Sequence, residues 1–330
     1  MSINVDDIFK IKKEEQFKDI ALTVFRFQAK ECEVYTKFIQ SLKIEIETIN
    51  EINQIPFLPI EFFKSHSITT NYKPQTTNTK LFESSGTTGL TTSKHFVSAV
   101  SVYEKSYLKA FELFYGNINE YCILALLPSY LERDNSSLIY MTDDLIKKSN
   151  HPESGFYLHN QDELILTLKK LQNKKQRTIL LGVTYGLLDL VEKEKLQLEN
   201  IIVMETGGMK GKRKEIIREE LHKILCNAFG VKAIHSEYGM TELLSQAYSK
   251  GNGIFNCPPW MRVMIRDTND PFTFLPQTKT GGINVIDLAN IYSCSFIATQ
   301  DLGKTFSDNS FEVLGRFDNS DIRGCNLLVE

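Results

Sequence analysis

Three short, almost uninterrupted apolar runs constrain the fold of this chain more than any other feature: YCILALL (121–127), TILLGV (178–183) and NIIVME (200–205). Each reads as a buried strand. They alternate with helical segments near 161–175, 185–196 and 212–229, the last closed by Gly230 as a C-cap. Buried strands alternating with helices require a parallel sheet covered on both faces, so the fold class is α/β. Ligands of such sheets bind at the carboxyl ends of the strands, where GVTYG (182–186), GGMKG (207–211) and YGMTE (238–242) each fall.

The flanks are less regular. From Lys12 to Leu42 the pattern is helical, with Ile20, Val24 and Phe27 on one face. Pro56 and Pro59 break helix, and IPFLPIEFF reads as an extended clamp that fixes the N-terminal helices onto the main sheet. Tyr103, Tyr107, Phe111 and Phe114 have helical spacing and read as core. Beyond Trp260 the runs shorten and turns multiply, which predicts a small, mostly β subdomain over 261–330 beside a helical N-terminus and α/β core over 1–260.

Composition excludes several classes of function. The net charge is −3, with no basic face for neutralising phosphates, so nucleic acid is not expected as the main partner. No stretch approaches the roughly 18 consecutive apolar residues of a membrane span, and the acidic start MSINVDDIF does not resemble a signal peptide. A cytoplasmic location is the expectation. The six cysteines, at 32, 122, 226, 257, 294 and 325, form no C-x-x-C pair, so neither a zinc site nor a disulfide framework is expected.

Ser84, Ser85, Gly86, Thr87, Thr88 and Gly89 lie together in LFESSGTTGLTTSKHF (81–96). Small residues let backbone approach an anion, and successive N–H groups and hydroxyls can then share its oxygens. Lys94 and His95 follow and could add a cation. The run is not a Walker A loop, and in isolation it reads first as a solvated turn. Further along come YGMTE, TQDLG (299–303) and LGRFDNSDIRG (314–324). On spacing alone Asp301 and Asp318 read as turn residues, and Glu242 reads equally as a helix-start carboxylate or as a site group.

In this order the motifs resemble those of the adenylate-forming enzymes, which activate carboxylic acids with ATP. The closer resemblance is to the acyl-protein synthetase (LuxE) family, through IPFLPIEFFKS (55–65), LLPSYLERDNSSL (126–138), GGMKG and the final RGCNLLVE. Phenylacetate-CoA ligase-like enzymes look like the next nearest relatives. The resemblance implies the adenylate-forming N-terminal domain, with the superfamily's usual C-terminal domain and its lysine absent. It assigns phosphate binding to Ser84, Ser85, Gly86, Thr87, Thr88 and Gly89, with Lys94 a weaker transfer. It gives the adenine to Gly207, Gly208, Tyr238 and Gly239, the α-phosphate to Thr241, and Mg²⁺ to Glu242. Asp301 would bind the ribose, Arg316 the ribose or α-phosphate, and Asp318 would mark the hinge.

The resemblance also makes Cys325 the acceptor of the acyl group. On sequence alone Cys325 reads equally as a packed residue of a last strand. The expected activity is therefore an ATP-dependent, AMP-forming ligase. It would activate an acid, expected to be fatty, and pass the acyl group through Cys325 to a partner such as a reductase. Two alternatives stand: an acyl- or aryl-CoA ligase, and a non-catalytic nucleotide-binding subunit. A homo-oligomer is also open. GVTYG, with Thr184 at its centre, is not a nucleophile elbow, which needs G-x-S-x-G, and reads instead as lining the acyl or adenine pocket; His235 at a strand end reads as structural.

Overall fold

The structure is a computed structural model that describes residues 3–71, 78–84, 92–127, 135–158, 160–207 and 216–317. In chain order its strands are β1 (Leu58–Pro59), β2 (Lys80–Glu83), β3 (Lys94–Val97), β4 (Cys122–Leu126), β5 (Gly155–Phe156), β6 (Thr178–Val183), β7 (Ile201–Thr206), β8 (His235–Tyr238), β9 (Ala247–Ser249), β10 (Ile254–Asn256), β11 (Met261–Arg266), β12 (Gly281–Asp287), β13 (Phe296–Thr305) and β14 (Phe311–Arg316). Twelve of them form one sheet in the order β11-β12-β13-β14-β10-β9-β8-β7-β6-β4-β5, with β1 added alongside β13. β2 and β3 form a separate antiparallel pair.

The sheet changes character at β8. From β5 through β4, β6 and β7 to β8 the pairing is parallel. From β8 through β9, β10, β14, β13 and β12 to β11 it is antiparallel. Burial follows the same division. β4 and β6 are buried at every position, as parallel strands between two helical layers must be, whereas β11 alternates buried and half-buried residues. One apolar core packs under the helices Gln161–Asn173, Thr184–Lys193 and Arg218–Phe229. The other lies between the opposite face and the helices Glu14–Glu31, Glu33–Ser41 and Val100–Tyr115.

The alternation expected from the apolar runs is present, with two corrections. The N-terminal helical pattern is two helices, because Cys32 leaves helical geometry (φ −100°, ψ 100°) between Glu31 and Glu33. The third crossover helix starts at Arg218, since Ile217 before it is extended (φ −61°, ψ 143°). It ends at Gly230 in the left-handed region (φ 63°), the conformation a C-cap glycine supplies without strain. Tyr103, Tyr107 and Phe111 are buried on their helix and Phe114 is half-buried.

The proline-rich segment ties the N-terminal helices to the sheet. Leu58 and Pro59 pair in parallel with Ile297 and Ala298, and the Tyr35 hydroxyl donates to Pro56 O at 2.6 Å. The strands after Trp260 join the common sheet through β14–β10 and β10–β9.

Candidate active site

The candidate site lies where β7 and β8 end and the β2–β3 pair closes over them. Glu83 and Lys94 face each other across that pair, so the Ser/Thr/Gly loop leaves from one strand and returns to the other. Two hydrogen bonds close its base: Ser84 N–H to Ser93 O at 3.0 Å, and Ser93 N–H to Ser84 Oγ at 2.9 Å. Ser85, Gly86, Thr87, Thr88 and Gly89 lie outside the described residues, as do Gly208, Asp318 and Cys325. Lys94 is half-exposed, with Nζ 3.9 Å from Glu83 Oε1.

Residues far apart in the chain converge on this base. Ser93 hydrogen-bonds the buried Glu242 carboxyl, whose pKa burial raises and whose anionic form Arg316 favours. Asp301 on β13 and Arg316 on β14 are register partners, and Arg316 Nε donates to Asp301 Oδ1 at 3.1 Å. The Tyr238 hydroxyl, arriving from β8, donates to Asp301 Oδ2 at 2.8 Å. Thus Ser84, Ser93 and Glu242 form one hydrogen-bonded group and Arg316, Asp301 and Tyr238 another, with the Arg316 charge acting on Glu242 between them. The Tyr238 ring stands edge-on to Phe311 and Phe255, which fixes its plane.

Of the strand-end glycines, Gly207 is required by its backbone. Gly207 has φ 65°, a left-handed conformation, and its carbonyl accepts from the Thr184 hydroxyl at 2.8 Å. Thr184 is therefore tied to Gly207 at the end of β7. A side chain on Gly239 would collide with Glu237 Oε1. His235, read as structural, meets the Tyr115 hydroxyl through Nδ1 at 3.2 Å, and burial pushes its pKa down to about 4.

His95, expected as a cation, and Asn290 and Asp287, which no motif pointed to, hold the Thr241–Ser245 segment by its backbone. His95 Nδ1 donates to Thr241 O at 2.8 Å, and Asn290 Nδ2 donates to Glu242 O at 2.8 Å. Asp287 accepts from Leu244 N at 2.7 Å, from Ser245 N at 3.0 Å and from the Ser245 hydroxyl at 2.5 Å. His95 is fully buried and its pKa is pushed down to about 4, so it is a neutral donor and not the cation its place beside Lys94 suggested. A second cluster surrounds buried Glu205 behind Gly207. Arg218 lies 3.6 Å and His222 3.5 Å from Oε1, while Thr184 donates to Oε2 at 3.2 Å. Among the described residues no three His, Cys, Asp or Glu side chains gather as a metal cluster.

The sequence model of the family described as "Acyl-protein synthetase, LuxE" matches residues 7–330. The chain belongs to the acyl-protein synthetase (LuxE) family. No curated protein sequence matches it. Among solved structures it resembles ATP-bound MatB from Rhodopseudomonas palustris, with TM-score 0.55 and 17% identity over 72% of this chain and 47% of MatB. It also resembles a 2-hydroxyisobutyryl-CoA ligase in complex with 2-HIB-AMP and CoA, with TM-score 0.67 and 12% identity over 93% of this chain and 68% of that one. The LuxE chain thus has the fold of adenylate-forming enzymes, and it spans about half the length of MatB. Identities this low speak to the fold alone.

Proposed function

We propose that this LuxE-family protein activates a carboxylic acid with ATP as an acyl-adenylate and transfers the acyl group to the thiol of Cys325. The observation that carries this reading is the convergence of Tyr238, Glu242, Asp301 and Arg316 at the base of the Ser/Thr/Gly loop. Asp301 already accepts one hydrogen bond at each oxygen, so ribose hydroxyls meet an oriented acceptor with spare lone pairs. Arg316 keeps its guanidinium largely exposed beside that carboxylate, available to an α-phosphate oxygen. Thr241 is presented on a segment whose backbone is fixed, and such fixed donors aid phosphoryl chemistry by positioning.

In the first step a carboxylate oxygen of the acid attacks the α-phosphorus and pyrophosphate leaves. In the second the Cys325 thiolate attacks the acyl carbon and AMP leaves, giving a thioester. Glu242 fits the way Mg²⁺ is commonly held, by one or two carboxylates with phosphate and water completing the shell. The cation would neutralise phosphate charge. A fatty acid is the proposed substrate class, and an acyl-accepting protein such as a reductase the proposed partner. Among the described residues no helix is long and apolar enough to cross a membrane. The proposed setting is the cytoplasm, where ATP is supplied.

The test has two parts. Acid-dependent exchange of pyrophosphate into ATP reports the first step, and its absence with every acid overturns the reading. Intact mass after incubation with Mg-ATP and acid reports the second. A hydroxylamine-labile adduct, missing in Cys325→Ser, is expected; an adduct that survives the substitution removes Cys325 as acceptor. The likeness to a CoA ligase supports a second reading, in which AMP release depends on CoA.

A further inference from the structure

Among the described residues Glu237 is the one carboxylate near the site whose surroundings do not account for it. Asp287 accepts three hydrogen bonds from the 244–245 segment, Glu205 has a guanidinium and an imidazole, Asp301 has Arg316 and Tyr238, and Glu242 has Ser93 with Arg316 nearby. Among the described residues Glu237 has the Thr206 hydroxyl, donating to Oε2 at 2.5 Å, and the like charge of Glu205 nearby. Burial without a cation pushes its pKa up to about 7. Its Oε1 is left without a hydrogen-bond partner among the described residues, so that oxygen is available to a ligand.

Its place says which ligand. Glu237 is one residue before Tyr238 on β8, and it stays partly exposed while Ser236 and Tyr238 on either side are buried. Its Oε1 abuts Gly239, which is exposed at the strand end beside Thr241. Below, Glu237 forms part of the wall of a void of about 20 Å³ between the sheet and two helices. Phe111, Met141, Leu145, Ile123, Leu181 and Met204 supply much of the rest with the Tyr248 phenol, and among the described residues Glu237 is the one charged group in that wall. The void holds one water-sized group, and the two methionines can repack around something larger.

We propose that the acid lies along this wall and that Glu237, oriented by Thr206, recognises a hydroxyl group on its chain, so the substrate class is a hydroxy acid. This rests on the acid-activation reading above. A hydroxyl donates to a carboxylate and accepts from a carboxylic acid, and so matches Glu237 in either protonation state. An ammonium group needs the anion and brings three donors against an otherwise apolar wall.

The test is pyrophosphate exchange with butanoate, hexanoate and octanoate, their 2- and 3-hydroxy derivatives and their 2- and 3-amino derivatives. At least one hydroxy acid is expected to exceed its unsubstituted parent by 10-fold or more in kcat/KM. In Glu237→Leu that ratio falls to near one, and in Glu237→Gln, which keeps a donor and an acceptor, it persists in part. Calorimetric binding of the same acids to the wild type gives the preference without turnover. Activity on unsubstituted acids with no hydroxyl preference overturns this inference and leaves acid activation standing. Preference for an amino acid, or a hydroxyl preference unchanged in Glu237→Leu, also overturns it. No exchange with any acid removes both.

Discussion

At the scale of single residues, Asp301 is the most informative test of the nucleotide reading. It receives Tyr238 and Arg316 on opposite oxygens, and an amide can accept only one of those hydrogen bonds. Asp301→Asn is therefore expected to lower kcat/KM for ATP at least 10-fold, about 1.4 kcal/mol in the transition state, in the exchange assay. An unchanged value would place ribose recognition elsewhere. His95 offers a pH test. Its folded pKa is about 4 and its ordinary value 6.5, so the unfolded chain binds the extra proton as pH falls between the two. Wild-type stability should fall across that window by about 3 kcal/mol from this residue alone. Denaturant unfolding at pH 7.5 and 4.5 should show a correspondingly smaller pH effect in His95→Asn. An equal effect would mean that His95 ionises in the folded protein.

At the scale of elements, the Thr241–Ser245 segment is held by side chains from β3, from the end of β12 and from the turn after it. Asp287→Ala would strand the N–H groups of Leu244 and Ser245 and the Ser245 hydroxyl, at a cost of about 3 kcal/mol or more. A thermal scan of this variant should show a clear loss, and Asp287→Asn should recover part of it. These brackets explain what could and could not be read from the sequence. The strands were legible because β4, β6 and most of β7 are apolar on both faces, and the motifs could be singled out because glycine and acid spacings are short-range patterns. The bracket was not. His95 lies 146 residues from Thr241 in sequence, and Asn290 lies 48 from Glu242, so no local pattern records either contact. His95 misled for the same reason, since its neighbour Lys94 is polar and only tertiary packing buries it. Glu237 was hidden inside SEYGMTE, where it reads as an ordinary strand polar residue.

At the scale of the molecule, the parallel and antiparallel halves share one sheet, and the N-terminal helices lock onto the antiparallel half. Gln28 illustrates the lock: its amide donates to Asn290 O and Ile291 O at 3.0 Å each, and its oxygen accepts from Ser295 N at 2.9 Å. Residues 1–260 expressed alone would lose β11–β14 and these partners, and are expected to show no cooperative thermal transition. A folded 1–260 fragment would make the β-rich region a separable unit. The trio at Asp301 carries a different consequence. Tyr238 comes from the strand where parallel pairing ends, while Asp301 and Arg316 come from a hairpin deep in the antiparallel half. On the proposed reading, a nucleotide bound there would act as a staple between the halves, present only in the folded chain. By mass action, ATP at 100 times its dissociation constant should add about 2.7 kcal/mol to global stability, and hydrogen exchange should slow together in β8 and β13, as if one ligand had thickened the seam between two panels.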